Sequence, residues 1–293
     1  MESKDKAMQQ ATSKSINTPF KTIEVHPISG SVGAIVNGVD LSKLTDAEFD
    51  EIAQALLAHQ VIFFRDQELE LDAYLDFAKR WGKIALYPYM KGLVSHPEIL
   101  QIVKNPTDTY AFGNAWHTDS SFLPIPPKLT MLHALEVPDA GGDTLFASLY
   151  HAYDTLSDGM RELLDGLRVL NIGDQPLQRF SEVESMSQRD PGEEKVRAHH
   201  PVIRTHPETG RKALYIGHHT VEFEGMTSDE SAPLIKFLIE HATQPEFTGR
   251  FSWEPNSMAI WDNRCVLHYA IDDYFGQQRR MNRIIIEGDE TPF

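Results

Sequence analysis

The sequence carries one cysteine, Cys265, among 293 residues. A single thiol excludes an intramolecular disulfide and any zinc site built from several cysteines, and it suits a reducing compartment such as the cytoplasm. Cys265 itself is expected in the core or in a pocket wall. Basic residues are also scarce: 27 Lys and Arg against 43 Asp and Glu give a formal charge of −16. That balance argues against nonspecific binding to nucleic acid or to anionic membranes, both of which need a basic surface. No apolar run approaches the ~20 residues of a membrane helix. Residues 1–19 lack the apolar centre of a signal peptide and are expected to form a flexible tail. What is present is an ordinary soluble composition, 41% hydrophobic and 24% charged, enough for a substantial core. The expected partner is a small molecule, and an anionic one would have to be drawn in by a few local arginines.

From Phe20 onward the pattern is of short β-prone runs between helices. Lys21 to Val25, Gly33 to Val36, Val61 to Phe64, Ile99 to Val103 and Leu129 to Leu135 read as strands. Thr45 and Glu48 have capping-box spacing and open a helix, and Asp72 to Trp81 reads as a second one, ended by Gly82. Tyr150 to Leu167 reads as helical with a break near Ser157, and Asp229 to Ala242 as a further helix. Pro201 to Thr205 and Lys212 to Ile216 read as a hairpin. The chain returns to β at Arg250 to Trp253, Met258 to Trp261, Val266 to Ala270 and Met281 to Glu287. The stretch from about 179 to 200 is polar and reads as an insertion or lid loop. Many short strands with segregated helices favour a mainly β, α+β architecture: one antiparallel jelly roll with helical insertions over residues 20–293.

The chemically loaded stretch is Asn114-Ala115-Trp116-His117-Thr118-Asp119. Read as an extended strand, it points His117 and Asp119 to one face, because side chains alternate. One nitrogen and one carboxylate ligand make half of a facial iron centre, which needs a second histidine and keeps its other positions open. His268 closes the β segment Trp261-Asp262-Asn263-Arg264-Cys265-Val266-Leu267-His268. Taken singly, His-x-Asp arises by chance, His268 suits a satisfied core position, the Arg279-Arg280-Met281-Asn282-Arg283 run suits a solvated edge, and Gly141-Gly142-Asp143-Thr144 suits a turn.

Taken together, these segments resemble the taurine dioxygenase family of iron(II)- and 2-oxoglutarate-dependent oxygenases. The likeness rests on Trp-His-Thr-Asp at 116–119, Gly-Gly-Asp-Thr-Leu at 141–145, His-Pro-Glu-Thr-Gly at 206–210, Trp-Asp-Asn-Arg at 261–264, His-Tyr-Ala at 268–270 and the closing Arg-Arg-Met-Asn-Arg. It implies a double-stranded β-helix (cupin-like jelly roll), with His117, Asp119 and His268 as catalytic iron ligands and with 2-oxoglutarate and O2 as co-substrates. It also implies that Arg279 and Thr144 hold the distal carboxylate of 2-oxoglutarate. A planar guanidinium suits that task because it grips a carboxylate through two parallel hydrogen bonds. Arg283 is implied to face the acidic group of substrate. Four residues at ~3.3 Å rise put Arg279 and Arg283 on one strand face, about 13 Å apart, with Arg280 on the other.

Substrate choice is where this chain departs from the sulfonate-binding pattern. Tyr87 stands where the taurine enzymes carry a histidine, and Gly113 lies near the place of their polar residue before His-x-Asp. Tyr87, Asn114, Tyr89, His218 and His219 are candidates to line a pocket for another small acid. Asp262 and Asn263 are both candidates to support a ligand from behind. The expected reaction is hydroxylation of a sulfonate, sulfate ester or carboxylate with release of succinate and CO2, by a homo-oligomer, dimer or tetramer. The alternatives are desaturation or another oxidation at the same centre, a non-catalytic jelly-roll binder, and a zinc hydrolase. The last leaves the paired arginines unexplained.

Overall fold

Thr45 and Glu48 show how local sequence sets the first helix. The Thr45 amide donates to Glu48 Oε2 at 2.8 Å and the Glu48 amide donates to Thr45 Oγ1 at 3.3 Å, so two end groups are satisfied at once. Helix α1 (Asp46–His59) then runs to Gln60, whose φ of 69° ends it. The computed structural model describes residues 20–173 and 196–293. The expected N-terminal tail and positions 179–195 of the expected insertion lie outside them.

Before α1 come β1 (Glu24–Pro27) and β2 (Ala34–Asn37), and after it β3 (Val61–Phe64). Helix α2 (Leu71–Lys79), β4 (Ile84–Ala85), β5 (Leu100–Lys104), β6 (Leu129–Glu136) and β7 (Thr144–Ser148) follow. The helical stretch beyond β7 splits as its sequence suggests, into α3 (Leu149–Asp154) and α4 (Asp158–Leu164). Ser157 caps α4 by accepting from the Met160 amide. Then come β8 (Arg168–Ile172), β9 (Arg197–Pro201), β10 (Ile203–Thr205), β11 (Lys212–Leu214) and β12 (Thr220–Phe223). Helix α5 (Ser228–Ala242), β13 (Thr248–Phe251), β14 (Met258–Asp262), β15 (Val266–Ala270) and β16 (Arg279–Ile286) complete the chain.

The major sheet runs β1-β2-β3-β14-β6-β16, and the far edge of β16 is shared by β4 and β5. Among the described residues, β2 and β3 are the one parallel pair in it. Its two faces can be read from single strands. Val61 and Phe63 join one core while Ile62 and Phe64 join the other, and Ala259 and Trp261 separate from Met258 and Ile260 in the same way. A strand buried on both faces is continuously apolar, and each large side chain so buried contributes about 1.5–3 kcal/mol. One face is covered by α1 and α2 through Ile52, Leu56, Tyr74 and Phe77. The other packs against the three-stranded sheet β13-β7-β15, with Phe63 stacked on Phe251 at 4.0 Å. Two antiparallel layers around one core are the jelly roll that the sequence leads one to expect.

The structure departs from the sequence reading in three places. A third sheet, β12-β8-β9, was not legible, and its strand Arg197–Pro201 takes up the end of the expected insertion. The β4 pairing was also hidden. The His117 segment is not a strand: it meets the fold through one isolated bridge to His268.

Candidate metal centre and its cavities

That bridge assembles the centre. The His117 amide donates to the His268 carbonyl at 3.1 Å and the His268 amide donates back at 2.8 Å, so the two residues are a directly opposed hydrogen-bonded pair. Their rings lie 4.1 Å apart between centroids. The chain then turns, with Ser120 at a φ of 49°, and Asp119 swings back to the same point. Its Oδ1 lies 3.7 Å from Nε2 of His117 and 3.8 Å from Nε2 of His268. The convergence expected from strand alternation is therefore achieved by a bridge and a turn. Gly113 makes room for it: its φ is +84°, and a Cβ there would sit 3.4 Å from Cε1 of His117.

The donors are set for a cation. His117 Nδ1 donates to the Ala115 carbonyl at 2.7 Å, which leaves the Nε2 lone pair pointing to the centre. His268 is held between Phe146 and Trp261, with the indole at 4.6 Å. Burial lowers the pKa of both histidines, His268 the more strongly, and His117 adds to that effect. Burial alone would raise the Asp119 pKa, but Arg283, the two histidines and the Thr130 hydroxyl outweigh it and hold the carboxyl well below its usual range. Two neutral imidazoles and one anionic carboxylate form the ligand set of an open iron(II) site. The residues present fit that ion.

Two cavities meet at His117 and Asp119, and His268 lines the inner one. The inner one, of about 420 Å³, has Thr144, Arg279 and Arg283 in its wall, and the outer one, of about 520 Å³, has Tyr87, Asn114, His218 and His219. Arg279 is 6% exposed and has no carboxylate partner among the described residues; its Nε and Nη2 make no hydrogen bond. Trp253 Nε1 donates to Thr144 Oγ1 at 2.9 Å, so the threonine keeps its own proton for another acceptor. Arg280 faces outward beside Glu136, as strand alternation requires.

Arg283 stands between the cavities. Its Nη2 makes a 2.5 Å ion pair with Asp119 Oδ1 without the alignment of a hydrogen bond, and its guanidinium lies 5.2 Å over the Tyr87 ring. Of the pocket candidates, Tyr89 is buried and packs on Tyr87 and Phe122 rather than lining either cavity. Asn114 lines the outer cavity, but Nδ2 is already committed to the Tyr269 hydroxyl and the Ala270 carbonyl. His219, pushed down to about 3 mainly by burial, is a neutral wall.

The two candidates behind the ligands separate cleanly. Asp262 faces away, gripped by Arg264 and accepting from His206 Nε2 at 3.0 Å. Together with Cys265 it forms a second cluster of possible ligands. The guanidinium already occupies both carboxylate oxygens, so this cluster is an ion-pair knot. Asn263 does reach the centre, through Thr130, a residue with no signal in the sequence beyond its place in β6.

The match with known proteins covers nearly the whole chain. The model of the taurine catabolism dioxygenase TauD, TfdA family matches residues 24–285. An alpha-ketoglutarate-dependent sulfate ester dioxygenase of Pseudomonas putida is 34% identical over 281 residues, spanning 91% of this chain and 90% of its own. An alpha-ketoglutarate-dependent 2,4-dichlorophenoxyacetate dioxygenase of Burkholderia sp. (strain RASC) is 32% identical over 277 residues, with 87% and 88% covered. Among solved structures, a taurine dioxygenase from Burkholderia xenovorans superposes with a TM-score of 0.79 at 35% identity, covering 93% of this chain and 91% of its own.

Proposed function

The chain belongs to the TauD, TfdA family, and from that membership we propose that it is an iron(II)- and 2-oxoglutarate-dependent dioxygenase. It hydroxylates a small organic acid, a sulfonate, sulfate ester or carboxylate, with release of succinate and CO2. The observation that carries this reading is Arg279: a buried cation with idle donors, in the same cavity as two neutral histidines and an ionised aspartate. A buried guanidinium without an anion is costly, and the distal carboxylate of 2-oxoglutarate would satisfy it.

Iron(II) held there would supply, with 2-oxoglutarate and O2, the oxidising chemistry. The chain's own part is positional. His117 Nε2, Asp119 Oδ1 and His268 Nε2 hold the ion; Arg279 and the Thr144 hydroxyl orient 2-oxoglutarate from the far end. Arg283, backed by Tyr87, meets the acidic group of substrate, and the aromatic walls from Tyr87 and Phe112 keep water from the reacting atoms. The relatives named for sulfate ester and phenoxyacetate substrates support an anionic substrate. The single buried cysteine supports work in the reducing cytoplasm.

The test is anaerobic absorption spectroscopy of protein with iron(II) and 2-oxoglutarate. A visible charge-transfer band is expected in the natural protein and absent in His268→Ala and Asp119→Ala, and the acid that shifts the band identifies the substrate class. Bound iron without a band would overturn the reading.

A further inference from the structure

The two oxygens of Asp119 have different surroundings, and the difference traces back to Trp261. An indole N–H can only donate. Trp261 Nε1 donates to Asn263 Oδ1 at 3.0 Å, and the Asp119 amide donates to the same oxygen at 3.3 Å. The carboxamide therefore has one orientation, and its Nδ2 donates to Thr130 Oγ1 at 2.9 Å. With that donor on its lone pair, the single Thr130 proton goes to Asp119 Oδ2, at 2.6 Å. Oδ1 alone remains facing the two histidines. All four side chains are buried, Thr130 and Asn263 completely.

We propose that Trp261, Asn263 and Thr130 form a directed hydrogen-bond chain that restricts Asp119 to ligation through one oxygen. A carboxylate with both oxygens free can chelate a cation. Here the Thr130 proton removes that option, so an iron(II) ion held by His117, Asp119 and His268 would keep room for the keto acid and O2. Thr130 and Asn263 are positioning residues: they touch Asp119 and each other, not substrate. The chain also ties the centre to the fold, since Thr130 is paired with Trp261 across β6 and β14, and Asn263 occupies the turn leading to His268. The inference rests on the iron(II) reading of the centre.

The experiment titrates Mn(II) by electron paramagnetic resonance and records the visible spectrum of the Co(II)-loaded protein for Thr130→Val, Asn263→Asp and Thr130→Ser. Valine keeps the shape and removes the proton. Aspartate accepts where the amide donated, so the Thr130 proton turns away from Asp119. Both are expected to change the Co(II) spectrum as the second oxygen becomes free to ligate, and to shift the Mn(II) affinity by about 10-fold or more, with serine restoring both. Natural-sequence affinity and spectrum in Asn263→Asp would overturn the proposal, and so would a lowered melting temperature as the sole effect of either variant. Asn263→Asp decides alone should Thr130→Val not fold. Failure of the natural protein to bind Mn(II) is a different result, one that overturns the metal reading itself.

Discussion

Asp119 Oδ1, the oxygen that faces both histidine Nε2 atoms, is also 2.5 Å from Nη2 of Arg283. One carboxylate oxygen is thus shared between a guanidinium and the place of a cation. The arginine keeps Asp119 ionised, yet it competes with the metal for the same lone pairs.

Removing that competitor has a counterintuitive outcome. Arg283→Met, which keeps volume and drops the charge, is expected to raise the substrate KM while Mn(II) binds as well as before or up to about tenfold tighter, a change of ~1.4 kcal/mol. Steady-state kinetics with a parallel Mn(II) titration checks both halves. Weaker Mn(II) binding would show that Arg283 supports the centre.

Arg279 and Thr144 should separate by co-substrate. Loss of a charge-assisted hydrogen bond costs about 1.5–3 kcal/mol, so Arg279→Ala is expected to raise the 2-oxoglutarate KM by roughly 10- to 100-fold with little change for substrate. Thr144→Val, losing a neutral hydrogen bond, should raise it by about tenfold or less. An unchanged 2-oxoglutarate KM in Arg279→Ala would assign the arginine to the fold.

The Asp262 knot governs stability instead of turnover. Asp262 is 1% and Arg264 4% exposed, and burial of the aspartate is outweighed by Arg264, which holds its carboxyl far below the usual range. Arg264→Leu leaves that charge buried and half-paired, at an expected cost of about 3–5 kcal/mol in urea unfolding. A loss below about 1 kcal/mol would mean that His206 alone satisfies it.

His200 gives the fold an acid limit. Burial, helped by Arg204, pushes its pKa down from 6.5 to about 4, so the folded protein holds it neutral, with Nε2 donating to the Leu123 carbonyl at 3.0 Å. The unfolded chain takes up the proton first as pH falls. Stability is therefore full above 6.5 and is lost between 6.5 and about 4, on the order of 3 kcal/mol from this residue. Melting temperature measured against pH should fall less steeply in His200→Gln, and an unchanged slope would refute the assignment.

His200 also shows why part of the fold was illegible. Strand β9 alternates in burial, but its inward positions carry Ala198 and His200, and β8 buries Asn171 beside Val169. Asn171 is satisfied by Thr220 and Ser121, so polar residues sit where a strand pattern calls for apolar ones. Val61–Phe64 and Val266–Ala270 were legible to the residue, the first because it is continuously apolar and the second because apolar and aromatic residues flank its one histidine, His268. At the centre, His117, Asp119 and His268 were legible through spacing and resemblance. The bridge that joins them was not, since it depends on a turn at Ser120 and an open φ at Gly113. Thr130 was invisible because nothing local distinguishes a threonine in β6 that meets Asp119 from one that only fills the sheet.

Strand β16 lies inside the major sheet, between β6 on one side and β5 and β4 on the other, and it also carries Arg279 and Arg283. A nascent chain therefore cannot close the sheet before residues 279–286 are made. Until then β6 and β5 have no neighbour to join them, and neither arginine has left the ribosome. A premature stop after Ala270 would spare His117, Asp119 and His268 and still leave a split sheet without either arginine.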